Sequence, residues 1–287
     1  MAINVTFIGF GEAGRAFARP GEGAFDRKSF GDATRAEMLA AYAEHAVDGY
    51  DDPAQALAKA DVVLCLVTAD QALAAARDCA AMLAPGALWL DMNSVAPASK
   101  REAARLIEAA GGRDVDVAVM APVLPARRSV PLLIAGPHAA AAASTLTALG
   151  FSNVTIAGPH IGDASAIKMI RSVMVKGLEA LSAECALAAD RAGVSDAVIA
   201  SLDVSWKEQG WAQRFDYNLD RMMAHGLRRA AEMEEVAATL EELGVDPVMT
   251  RGMITRQRAL GSLAIPPPDG LAAKLRAIGT ENKVEPA

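Results

Sequence analysis

The sequence predicts an α/β fold, an open and mostly parallel sheet, followed by an all-helical C-terminal domain. Three observations carry this. Up to about residue 160, short β-rich apolar runs alternate with helical segments. The run Val62–Val67, VVLCLV, is apolar throughout, as expected of a strand covered on both faces. Near Gly162 the character changes: from Ala164 to Ala192 there is no Pro and Gly177 is the only Gly. That is one helix of about 29 residues, roughly 43 Å long at the helical rise.

The elements follow in order. Ile3–Ile8 is a strand that ends at Gly9, and Arg15 onward is helical. A second strand ends near Phe25. Ala33–Ala46 is a helix with Asp32 or Thr34 as its N-cap, and Ala54–Lys59 is a short one. After VVLCLV, Gln71–Leu83 is helical until Pro85-Gly86 breaks it. Ala87–Leu90 is a strand ending in Asp91, and Pro97–Ala110 is a helix stopped by Gly111-Gly112. Val115–Val119, Leu132–Ile134 and Val154–Ile156 are further strands. Beyond the long helix lies an aromatic segment (Trp206, Trp211, Phe215, Tyr217), then helices over Asn218–Leu243 and Thr250–Leu260. Pro266-Pro267-Pro268 ends regular structure and Leu271–Ala287 reads as a loosely attached tail. The expected division is 1–160, 161–265 and a tail of 266–287.

Composition bounds the function. The 287 residues, 52% hydrophobic and 22% charged, are enough for two domains with a sizeable core and argue against disorder. A net charge of −7 argues against a nucleic-acid partner, which asks for a basic footprint. Neither a signal peptide nor an apolar span of membrane length is evident, so no membrane partner is expected. Cys65, Cys79 and Cys185 are unclustered and read as reduced thiols of a cytoplasmic protein, with no metal site.

Gly9-Phe10-Gly11-Glu12-Ala13-Gly14 is GxGxxG, set after a strand and opening a helix. The first Gly serves the turn, the second lets the backbone approach a pyrophosphate, and the third allows close packing. Asp26 stands where an acidic residue would receive a ribose 2′-hydroxyl, which favours NAD. Arg27 and Lys28 follow at once and suit a 2′-phosphate, so NADP stays open. Thr68, at a strand's C-terminal end, is a further cofactor contact.

The order of motifs resembles the β-hydroxyacid dehydrogenase and 6-phosphogluconate dehydrogenase superfamily, nearest to a bacterial branch with a phosphogluconate-dehydrogenase-like C-terminal domain. Gly9–Gly14 matches its cofactor loop. Asp91–Pro97 resembles its D-x-S-T-x-x-P segment, with Asn93 and Ser94 at the Ser and Thr positions. Met120-Ala121-Pro122 stands where the family carries S-G-G. Gly162 and Lys168 fit its G-x-x-G-x-G-x-x-x-K-x-x-x-N pattern, with Ser172 at the Asn. The resemblance implies a Rossmann-type, doubly wound NAD(P)-binding domain, a helical substrate and dimerisation domain, and a homodimer. It also implies Lys168 as general acid/base with Ser94 and Ser172 beside it, and Asn93 near the cofactor. Met120 and Pro122 lack the donors of S-G-G, so the pocket is expected to be more apolar than that of a small hydroxyacid enzyme. The Gly14–Asp26 stretch is also about half a dozen residues short of the family pattern.

Lys168, Ser172, Lys176 and Glu179 share a helix face by spacing, which admits either a cleft-facing lysine or a solvated stripe. His225 and Trp211 are expected at the substrate, with a surface His and a core or interface Trp as the plainer alternatives. Arg127-Arg128 reads as a rim charge or an anion anchor. The expected activity is hydride transfer between nicotinamide and a secondary alcohol or ketone of a small-molecule substrate. An imine-type reductase and a non-catalytic nucleotide sensor are the alternatives.

Overall fold

The computed structural model describes residues 3–205, 210–242 and 244–281. The chain forms two compact units, Met1–Val173 and Met174–Ala287. The boundary between these units falls inside the long helix.

The first unit holds one eight-stranded sheet in the order β3-β2-β1-β4-β5-β6-β7-β8. Its strands are β1 (Val5–Ile8), β2 (Gly23–Phe25), β3 (Asp48–Gly49), β4 (Val62–Cys65), β5 (Leu88–Asp91), β6 (Arg113–Val119), β7 (Leu132–Ala135) and β8 (Val154–Gly158). All pairings are parallel except β6 with β7. The order reverses beside β1, at the switch between β1 and β4, where open α/β sheets bind ligands. Strand alternation explains the apolar runs. Phe7, Leu64 and Leu90 point into one core layer, whereas Ile8, Val63, Cys65 and Trp89 point into the other. VVLCLV is apolar throughout because both faces of this sheet are covered.

Six helices of this unit flank the strands: α1 (Glu12–Phe17), α2 (Asp32–Glu44), α3 (Pro53–Leu57), α4 (Ala72–Cys79), α5 (Pro97–Ala109) and α6 (Ala139–Ala148). The short Gly14–Asp26 stretch leaves α1 only six residues. The cap expected at Asp32 or Thr34 is absent: Gly31 is the N-cap, without a side-chain bond, and the Thr34 hydroxyl donates to Lys28 O. Asp52, followed by Pro53, caps α3 instead. Strand β3 and helix α6 were not expected from the sequence. β3 is only two residues long, and the Ala-rich α6 has no strong amphipathic stripe to announce it.

Helix α7 (Asp163–Arg191) has the 29 residues expected of it. The second unit continues with α8 (Ser195–Ser205), α9 (Trp211–Glu242), α10 (Val248–Gly261) and α11 (Leu271–Glu281). α9 begins seven residues before the expected Asn218, so the aromatic segment from Trp211 is helical. Gly226 and Gly261 let α9 and α10 touch backbone to backbone; a Cβ on Gly226 would stand 2.2 Å from Gln257 O. The supposed tail at 271–281 is a docked helix. Lys274, 3% exposed, reaches from α11 to Asp216 at 2.9 Å and Asp220 at 3.4 Å on α9. Glu184, buried on α7, accepts the N–H groups of Met249 and Thr250 and the Thr250 hydroxyl at the start of α10. No helix of the described residues is long and apolar enough to cross a membrane.

Candidate active site

The site lies at the C-terminal ends of β1, β4 and β5. The three glycines after β1 act differently. Gly9 has φ +90, and a Cβ there would stand 2.5 Å from Leu66 O, so the turn admits only glycine. A Cβ on Gly14 would stand 2.8 Å from Gly9 O, which closes the helix onto the loop. Nothing lies within 4 Å of a Cβ on Gly11. Its backbone is therefore open to an approaching ligand, as a pyrophosphate needs.

Two cavities flank this loop. One, of about 440 Å³, is bordered by Gly9, Gly11, Asp26, Arg27, Lys28 and Thr68 among others. Asp26 is already engaged: it accepts the Phe10 N–H at 2.7 Å and the Lys28 N–H at 2.9 Å. It thus ties the glycine loop to the end of β2 while still facing the cavity. Phe10 contributes no cavity surface. Its ring is fully buried against Phe7, Tyr42 and His45, and its N–H is given to Asp26. Arg27 donates to Gln71 Oε1 at 2.7 Å. The Gln71 amide and then the Thr68 hydroxyl bond Asp70 and hold its carboxyl below the usual value.

The second cavity, about 340 Å³, is bordered by Glu12 and Ala13 of the loop, Asn93, Ser94, Ala121, Pro122 and Lys168. Lys168 Nζ donates to Ser94 Oγ at 2.6 Å. Val119, Ala121, Pro122 and Val123 give part of its lining an apolar character. Met120 does not border it: its side chain packs on the small cluster of Ala118, Ala135 and Ala164, and its carbonyl accepts from Arg171. Ser172 also turns away, donating to Lys168 O one helical turn back at 2.9 Å. Asn93 is buried, with Nδ2 donating to Asp91 Oδ1 at 2.7 Å and to Cys65 Sγ at 3.3 Å. Burial, and next the nearby Asp91, push the Cys65 thiol well up, so it is no nucleophile. His225 is exposed on α9 of the second unit. Trp206, and the side chains of Trp211, Lys176 and Glu179, lie outside the described residues.

A buried charge cluster beneath this cavity was not expected from the sequence. Lys100 of α5 is fully buried, 3.0 Å from Asp91 Oδ1 and 3.5 Å from Asp116 Oδ1. Asp114 beside it is also buried. Burial first, and then neighbouring Asp91, raise its carboxyl well above the ordinary carboxylate range. The available signal was Lys100 on the same α5 stripe as Ala103, Ala104 and Ile107, all buried. Arg128 is not an anchor at the rim. It is buried, donating to Phe17 O, Leu149 O and both oxygens of Glu22. Among the described residues no cluster suited to a metal ion occurs.

A sequence model described as the NAD binding domain of 6-phosphogluconate dehydrogenase matches residues 4–158. The chain belongs to the 6-phosphogluconate dehydrogenase-like family of NAD(P)-dependent oxidoreductases. A second model, a domain of unknown function, matches residues 189–260. A conserved hypothetical protein from Sinorhizobium meliloti 1021 is 36% identical, covering 98% of this chain and 97% of its own, with TM-score 0.60. MTH1747, a conserved protein whose structure is likened to 3-hydroxyacid dehydrogenases, is 28% identical over 96% of this chain and 99% of its own, TM-score 0.57. The Streptomyces aurantiacus imine reductase shares the fold at 21% identity, covering 95% of this chain and 98% of its own, TM-score 0.69. No curated protein matches the sequence. The open backbone at Gly11 and the two cavities either side of the loop fit an NAD(P) cofactor.

Proposed function

We propose that this oxidoreductase interconverts a secondary alcohol and a ketone, with Lys168 as the general acid/base. The observation that carries the reading is the Lys168–Ser94 hydrogen bond on the wall of the cavity that borders the glycine loop. NAD(P), when bound, supplies or takes up the hydride. Gly9 to Gly14 and Asp26 would hold the cofactor. Lys168 Nζ takes the proton from a substrate hydroxyl during oxidation and returns it to the oxygen during reduction. Ser94 Oγ, already bonded to Nζ, orients that oxygen. Ser172 supports the helix turn beneath Lys168 and does not touch substrate.

The apolar wall of Val119, Ala121, Pro122 and Val123 supports a substrate bulkier and less polar than a small hydroxyacid. Asp26 supports NAD over NADP: a carboxylate repels a 2′-phosphate, and Arg27 is engaged with Gln71. Exposed Ile199, Leu202, Val204 and Tyr217 in the second unit support association of two copies. The free cysteines accord with a cytoplasmic setting.

The test is fluorescence titration with NADH and NADPH, followed by a panel of secondary alcohols, hydroxyacids, ketones and cyclic imines. The expected result is tighter NADH binding and turnover of an alcohol–ketone pair. Reduction of cyclic imines with no activity on any alcohol or ketone would make it an imine-type reductase. Cofactor binding without turnover of any compound would make it a sensor.

A further inference from the structure

We propose that Lys100 is a positioning residue that holds Lys168 and Ser94 in register with each other. Its ammonium has two arms. One runs to β5 and the turn after it. Lys100 Nζ donates to Asp91 O and sits 3.0 Å from Asp91 Oδ1. That same oxygen accepts the Asn93 N–H at 3.0 Å and Asn93 Nδ2 at 2.7 Å, which fixes the turn ending at Ser94. The other arm runs to β6 and α7. Asp116, 3.5 Å from Nζ through Oδ1, accepts the Gly162 and Ser165 N–H groups through Oδ2 at 3.1 and 3.0 Å. These N–H groups lie at the start of α7, within two turns before Lys168.

So the two elements that carry the 2.6 Å Lys168–Ser94 bond are both anchored on one buried cation. Stability alone does not call for a charge there. An apolar side chain of similar volume in place of a buried ion network is often neutral or stabilising, because each buried ion is desolvated. Packing would be served by a Leu or Met beside Ala103, Ala104 and Ile107. A lysine instead supplies a hydrogen bond to Asp91 O and ion pairs to carboxylates on two neighbouring strands, and the alignment they set is one in which a shift of about 1 Å can cost a hundredfold in rate.

The inference rests on the reading of Lys168 and Ser94 as the proton-handling pair, and its test does not need turnover. Lys168 is labelled with an amine-directed reagent, and the rate is followed against pH by peptide mass mapping. The proteins compared are wild type, Lys100→Met, Ser94→Ala and the double variant, each checked for fold by melting and for cofactor binding by titration. Lys100→Met is expected to change Lys168 labelling in the same direction and to a similar extent as Ser94→Ala. The double variant is expected to add nothing further, since both act through one bond. Lys100→Met leaves two buried carboxylates without their cation, so the set includes Lys100→Met with Asp116→Asn, which removes a charge of each sign. That variant is expected to fold and to show the same labelling change. Wild-type labelling in a folded Lys100 variant, or additive effects of Lys100→Met and Ser94→Ala, would overturn the proposal. Full turnover by Lys168→Ala alongside the expected coupling would remove the catalytic reading of Lys168 and leave the positioning intact.

Discussion

Replacing Arg128 by Ala should destabilise the first unit strongly, although the residue lies in a single short 3₁₀ turn. The guanidinium, 7% exposed, donates to Phe17 O and Leu149 O at 2.6 Å and to both Glu22 oxygens at 2.7 Å. It also sits over the Phe151 ring at 5.2 Å. It thereby joins the end of α1, the end of α6 and the loop before β2. Alanine leaves two carbonyls and a carboxylate without their donor in a confined space. Removing one partner of a buried ion pair costs about 3–5 kcal/mol. For a unit of this size that corresponds to a fall in melting temperature on the order of 10 °C. Lysine reaches fewer of these acceptors and should recover only part of the loss. Trp89 is fully buried in this unit and reports its unfolding once Trp206 and Trp211 are replaced by Phe. A loss below about 1 kcal/mol, the range of an exposed pair, would refute the reasoning.

Further predictions concern the loop, the cofactor and the second unit. Gly9→Ala should abolish cofactor binding and lower the melting temperature, because the new Cβ meets Leu66 O in a backbone conformation with φ +90; Gly11→Ala should leave melting unchanged and weaken only the cofactor titration. Asp26→Ala should move the NADH-to-NADPH affinity ratio toward NADPH, since Arg27 and Lys28 remain; an unmoved ratio would take Asp26 out of the preference. Burial alone would raise the Glu184 carboxyl, but the bonds from Thr250 and the Met249 and Thr250 N–H groups outweigh it and hold the pKa below its usual value. Its contribution is therefore complete above the ordinary carboxylate range and lost as pH falls through the depressed value. Glu184→Gln should destabilise at neutral pH and flatten the acid limb of an unfolding curve, and an acid limb like that of the wild type would contradict this.

The parts of the fold and site that were legible in the sequence are those set by local pattern. VVLCLV shows a doubly covered strand because each successive residue faces an apolar layer. GxGxxG is readable because Gly9 and Gly14 meet backbone within a few residues of themselves or of β4. The helix that carries Lys168 is readable because α7 has no breaker around it, whereas the lysine itself is singled out only by the family resemblance. What escaped depends on distant partners. α9 looked seven residues shorter because the aromatic cluster at its start did not read as helix. α11 looked like a tail because its anchor, Lys274, finds Asp216 and Asp220 more than fifty residues back. Asp26 showed its cavity-facing role but not its bonds to the loop. Lys100 stood on an apolar stripe, the sign of a buried charge, but only folding brings Asp91 and Asp116 to either side of it.

The central claim, that Lys168 handles the proton in hydride transfer at the Ser94 cavity, is tested most directly by steady-state turnover of Lys168→Ala on the best alcohol–ketone pair, with cofactor affinity measured alongside. Losing a positioned general acid/base should lower turnover by about 10²–10⁴-fold while cofactor affinity is unchanged. Turnover equal to that of the wild type would contradict it.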